Sequence, residues 1–110
     1  MRVLFAAPDR DLLACYEKLL GDAFGDVVTA FDGTQVLTLL IEERFDIVVL
    51  DRSLPRVEHR RIVRRLNDER VPVIVMQERP FTIESLRDDT LPNAVLLYPF
   101  TSAELIGLVR

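Results

Sequence analysis

The chain has a single cysteine, a single histidine, no glycine- or serine-rich stretch, no internal repeat of solenoid length and no long apolar run. Each absence removes a class of protein. One cysteine, Cys15, cannot close an internal disulfide, and its place in an apolar helical stretch points to buried packing without reactivity. With no serine or cysteine placed to pair with it, His59 supports no catalytic triad, and it is expected to be an exposed residue at a helix start. Apolar runs such as 47–50 and 71–76, with Pro72 inside it, fall far short of the ~20 residues a membrane span needs. No apolar h-region with a small-residue cleavage site follows Met1 and Arg2, so the expected location is the cytoplasm. A net charge of −4 argues against a general polyanion binder.

What is present fits one compact domain over residues 1–110, because an apolar fraction of 49% can close a core of this size without disulfides or metal. Short runs apolar nearly throughout stand at 3–6, 27–30, 47–50, 71–76 and 94–97, and such runs read as strands buried on both faces. Between them the apolar residues recur at helical spacing. Leu12, Leu13, Tyr16, Leu19 and Leu20 form one stripe, Val36, Leu37, Leu40 and Ile41 a second, and Ile62, Val63 and Leu66 a third. The last helix is expected to open on a Thr101 and Glu104 capping box and to turn Leu105, Ile106 and Val109 inward. A short, weaker helix is expected between Pro80 and Asn93.

Five buried strands alternating with five helices predict an α/β fold: a doubly wound, five-stranded parallel sheet with helices on both faces. Reactive groups in such folds gather at the carboxyl ends of the strands, which directs attention to 7–9, 51–53, 77–79 and 98–100. Between Arg52 and Arg70 lie Arg56, Arg60, Arg61, Arg64 and Arg65, which helical spacing collects on one face; a solvated face is expected there in preference to a contact patch.

At those places the chain resembles the receiver (CheY-like) domain of two-component response regulators along nearly its whole length. Val27-Val-Thr-Ala-Phe-Asp-Gly33 is similar to the family's second strand and following turn, and Phe45-Asp-Ile-Val-Val-Leu-Asp51 with Leu54-Pro55 to its third strand and phosphoacceptor. Val71-Pro-Val-Ile-Val-Met76 is similar to the fourth strand, and Tyr98-Pro-Phe-Thr-Ser-Ala-Glu-Leu105 to the end of the fifth. The resemblance implies the flavodoxin-like receiver fold, a role in phosphorelay signal transduction, and Asp51 at the phosphoacceptor position. It also implies a cis Tyr98-Pro99 bond.

The pocket departs from the family. Where the family has two adjacent acids for Mg²⁺ after the first strand, this chain has Ala7 and Pro8, and neither can ligate a hard cation. Asp9 is the one acid close behind them, and as the residue before a helix it is expected to be an N-cap. The family's threonine or serine and the small residue after it are Gln77 and Glu78, its lysine is Tyr98, and its aromatic switch position is Val95. Mg²⁺ binding is therefore expected to be weak or absent and no cofactor is expected. Asp51 is read as a relic that accepts backbone or arginine hydrogen bonds, with Arg52 and Arg79 as candidate neighbours.

These departures predict a pseudo-receiver that is not an enzyme and works as a phosphorylation-independent interaction module. Its expected partner is a protein or a second copy, meeting the face of the fourth helix, fifth strand and fifth helix. The alternative is a phosphoacceptor charged on Asp51 by a histidine kinase and controlling a DNA-binding output domain, the chain being a truncated piece of a longer regulator. Nucleic acid would then be met only through that output domain. A flavin or hydrolytic site is set aside, because the loop Ala7-Pro-Asp-Arg-Asp11 holds neither glycine nor hydroxyl to cradle a phosphate.

Overall fold

The structure is a computed structural model and describes residues 1–54, 56–78, 94–98 and 102–109. Strands and helices alternate in the order β1 (Arg2–Ala6), α1 (Arg10–Phe24), β2 (Asp26–Ala30), α2 (Gly33–Glu42), β3 (Ile47–Asp51), α3 (Arg56–Asp68), β4 (Val73–Glu78), β5 (Ala94–Tyr98) and α4 (Ser102–Val109). The strands pair in parallel in the order β2-β1-β3-β4-β5. The order reverses between β1 and β3, so the crevice at that reversal opens beyond Ala6 and Asp51.

The apolar runs are strands because the sheet is covered on both sides. Leu4, Ala6, Val48 and Leu50 face one core with Val36 and Leu40 of α2 and Ile62, Val63 and Leu66 of α3. Val3, Phe5, Ile47 and Val49 face the other, with Leu13 and Leu20 of α1 and Leu105 and Val109 of α4. Side chains that alternate along a strand thus both find apolar partners, and burying each large one contributes ~1.5–3 kcal/mol. β2 lies at the sheet edge, and there Asp26 is exposed and Val27 to Thr29 are half-buried.

Local signals set the helix ends. Asp9 is the N-cap of α1 and Asp32 that of α2. Gly25 closes α1 at φ 86°, a left-handed conformation that a Cβ would strain, and its N–H reaches the carbonyl of Gly21 at 2.8 Å.

Three expectations need correction. Cys15 is exposed, because it lies about 200° round α1 from the buried Leu13. Ile41 is 71% exposed, being about 100° beyond Leu40 and past the inward edge of the α2 stripe. His59 is buried instead of exposed, at 3%. The short helix expected between Pro80 and Asn93, the Tyr98-Pro99 bond and Thr101 of the capping box lie outside the described residues. Among the described residues no helix is long and apolar enough to cross a membrane.

Candidate functional site

The carboxyl edge of the sheet assembles the residues singled out by the sequence. β1 runs into Ala7, which is fully buried and whose N–H donates to the carbonyl of Ala30 at 3.1 Å, so the first loop is drawn toward β2. Pro8 is exposed. Asp9 turns back on its own helix, its Oδ1 accepting from the N–H groups of Asp11 at 3.0 Å and Leu12 at 3.2 Å. That carboxylate satisfies donors that α1 would otherwise leave orphaned.

Asp51 ends β3, 8% exposed and level in the sheet with Met76 of β4. Its Oδ1 accepts from the N–H of Ser53 at 2.9 Å and from the Ser53 hydroxyl at 2.7 Å. The N–H of Leu54 returns to the Asp51 carbonyl at 3.2 Å, and that of Arg52 reaches the carbonyl of Met76 at 2.8 Å. The carboxylate is therefore the keystone of a tight turn built from its own next few residues. An aspartate that accepts from the residue two positions on is an Asx turn, and the N–H of Ser53 is the backbone donor expected for Asp51.

Gln77 stands in register with Leu97, and Glu78 with Tyr98, at the same edge of the sheet. The backbone thus brings Ala7, Asp51, Gln77, Glu78 and Tyr98 to one end of the fold. The side chains of Gln77, Glu78, Val95 and Tyr98, and the whole of Arg79, lie outside the described residues.

Arg52, expected beside Asp51, has its guanidinium engaged with His59, with Nη1 and Nδ1 3.1 Å apart. His59 lies on the buried face of α3 because it precedes Ile62, Val63 and Leu66 by three, four and seven residues, which extends their stripe by one turn. The spacing was visible in the sequence. Burial is the largest cause pushing the His59 imidazole down to about 4; the Arg52 charge adds to it, and the Asp51 carboxylate acts in the opposite sense. Its Nε2 is buried and has no hydrogen-bond partner among the described residues.

The first turn of α1 carries a second cationic contact near the same edge, where the Arg10 guanidinium stacks 4.4 Å from the centre of the Phe31 ring. Further along α3, Arg60, Arg61 and Arg64 are exposed, and Arg65 bonds Glu69 at 3.2 Å. Among the described residues no three histidine, cysteine, aspartate or glutamate side chains converge as a metal cluster.

Comparison with known proteins agrees with this architecture. No family model matches the chain. The chain is 34% identical over 117 residues to the transcriptional regulatory protein PrrA of Mycobacterium tuberculosis, covering 99% of this chain and 48% of that protein. It is 28% identical over 118 residues to the response regulator MprA of Mycobacterium avium, covering 100% of this chain and 50% of that protein. The chain thus spans about half the length of the curated relatives it matches. Among solved structures, the receiver domain of the Francisella response regulator 1452 superposes with a TM-score of 0.78 at 29% identity, covering 98% of this chain and 92% of that one. The chemotaxis protein CheY4 of Vibrio cholerae gives a TM-score of 0.84 at 19% identity over 98% of this chain and 94% of that one, a likeness of fold alone.

Proposed function

Since this chain belongs to the CheY-like receiver family of two-component response regulators, we propose that it is a pseudo-receiver, a signalling module that binds a protein partner or a second copy without phosphoryl transfer. The observation that carries this reading is the engagement of Asp51 with Ser53 beside a first loop that offers Ala7 and Pro8. A phosphoacceptor needs a free carboxylate oxygen, a metal and a cation in place, since phosphoryl transfer is won by positioning and electrostatic stabilisation. The donor set does not fit Mg²⁺. Ala7 brings a buried methyl, Pro8 no oxygen beyond its carbonyl, Asp9 caps α1, and one oxygen of Asp51 already accepts two hydrogen bonds. Tyr98 carries no charge at neutral pH where a lysine would pair with the phosphoryl oxygens, and Glu78 adds a negative charge at the same edge.

The contact surface in this reading is β5, α4 and the segment between β4 and β5. In support, α4 turns Ala103, Glu104, Gly107 and Leu108 outward, with Leu108 40% exposed.

A second reading is favoured by the names and lengths of the relatives. If this chain is the receiver half of a transcriptional regulatory protein, a histidine kinase would charge Asp51 and an output domain beyond this chain would meet DNA. One experiment divides the two readings. The chain is incubated with acetyl phosphate and Mg²⁺, and with beryllofluoride, and followed by intact-mass measurement and amide NMR. The expected result is no added phosphoryl mass and no shift. Stoichiometric, Mg²⁺-dependent labelling lost in Asp51→Asn overturns the pseudo-receiver and installs the second reading. As a positive control, Ala7→Asp with Pro8→Asp should recover metal binding first, and adding Gln77→Thr, Glu78→Ala and Tyr98→Lys should then recover labelling.

A further inference from the structure

The turn that leaves β3 holds a contact that neither reading of Asp51 uses. Arg52 Nη1 and His59 Nδ1 are 3.1 Å apart, across seven residues of chain. A guanidinium keeps its proton at any pH a fold survives and has no acceptor to offer. Nδ1 must therefore accept, which fixes a neutral ring with its hydrogen on Nε2. That Nε2 is buried without a partner among the described residues, in a side chain only 3% exposed. A second proton on this ring would set two cations at hydrogen-bonding distance and add an N–H aimed at Arg52, while Nε2–H still finds no acceptor among the described residues. It would also place positive charge in the first turn of α3, where the helix dipole opposes it.

We propose that Arg52 and His59 form a proton-released latch: the neutral ring fastens the turn after β3 to the first turn of α3, and proton uptake expels the ring and frees the turn that holds Asp51. The latch is independent of whether Asp51 is phosphorylated. Its effect would be felt at the strand edge at which the family signals, because Arg52, whose own N–H is tied to the Met76 carbonyl, directly precedes Ser53 and Leu54, the residues that close the turn on Asp51.

Among the described residues, two charges act on the ring. Arg52 comes from the turn and Asp51 from β3, and they act in opposite senses. From α2, which packs on α3, Asp32 is committed to the N–H of Gln35 and Glu42 is exposed at the far end. On α3 itself Arg60 is exposed, next in sequence to the ring. Arg56 and Glu58 share the first turn of α3, and Glu78 is the only charged residue of β4.

The test is an NMR titration of the chain from neutral pH into the acid range, following the His59 ring nitrogens and the backbone amides. At neutral pH the ring should be the Nε2–H tautomer. On acidification the ring and the amides of Arg52, Ser53 and Leu54 should move together, with one midpoint well below the ordinary histidine value of 6.5, while the amides of β1 stay in place. Arg52→Gln removes a repelling charge and should raise that midpoint by about one unit. His59→Asn keeps an acceptor toward Arg52 but takes no proton, and its turn amides should stay flat. The latch is refuted if the ring titrates at the ordinary value, if the turn amides ignore it, or if β1 collapses at the same midpoint. Should His59→Asn fail to fold, the wild-type titration and the Arg52→Gln shift decide the matter.

Discussion

Neutralising Asp51 should destabilise this protein, and the sign separates a carboxylate used as structure from one held for chemistry. Where a phosphoacceptor is crowded by acidic neighbours, removing its charge relieves repulsion and stabilises the fold. Here the crowding positions are Ala7 and Pro8, and Oδ1 of Asp51 accepts at 2.9 and 2.7 Å from the N–H and hydroxyl of Ser53. A hydrogen bond to a charged group contributes ~1.5–3 kcal/mol to stability. Ser53 is exposed, so water can take over its donors in a variant and the loss should fall near the lower end of that range. Asp51→Ala is expected to cost about 2 kcal/mol, and Asp51→Asn, which keeps an oxygen in place but loses the charge assistance, about 1 kcal/mol. With urea slopes of ~1–3 kcal/mol/M, the alanine variant should unfold roughly 1 M earlier in urea. A double-mutant cycle with Ser53→Ala then asks whether the pair is the source, with a coupling of about 1 kcal/mol expected. An Asp51→Asn protein more stable than the parent would refute the structural account of the carboxylate.

His59 should make stability depend on pH in the mildly acid range. Its folded value of about 4 lies below the unfolded 6.5, so the unfolded chain takes the proton first. The contribution is complete above about pH 6.5 and is lost as pH falls through that window toward about 4, a difference on the order of 3 kcal/mol; urea midpoints taken across the window should fall for the parent and stay flatter for His59→Leu, and equal slopes would show that another group is responsible. Replacing Arg60, Arg61 and Arg64 by glutamine should leave the elution volume on size exclusion unchanged and shift stability by less than ~0.5 kcal/mol, because all three are exposed; association that is lost with the arginines and weakens steeply with salt would instead identify α3 as a contact surface.

The strands were legible because burial on both faces leaves no room for polar residues. Val3 and Phe5 serve one core while Leu4 and Ala6 serve the other, so the run reads apolar without a gap. Helical stripes were legible at their centres and failed at their edges. Ile62, Val63 and Leu66 are all fully buried, but Ile41 is the outermost residue of its stripe and stands in solvent. His59 failed for a different reason: its spacing to Ile62, Val63 and Leu66 is that of a core residue, yet its polarity and its place at a helix start argued the other way. Polarity is a poor guide where a neighbour such as Arg52 can satisfy one ring nitrogen from the side, since a neutral imidazole with one bond made is cheap enough to bury on an otherwise apolar face.

The same difficulty recurs at Asp51. Taken one position at a time, the pocket residues tell what each would supply to a phosphoryl group and nothing of what they do for one another. The contacts that the structure makes there are pairwise, Asp51 with Ser53 inside the turn and Arg52 of the turn with His59 of α3. The first pair was open to inspection, because two-residue spacing is enough for an Asx turn. The second was not, because it needs α3 to fold back so that residue 59 meets residue 52, and its chemistry follows from an arginine that cannot give up its proton. Both pairs gather on one short turn, and that turn joins β3 to α3 beside the reversal of strand order. In the proposed latch, a proton taken up at His59 would reach the Asp51–Ser53 pair through Arg52 and Ser53, which are adjacent in the chain.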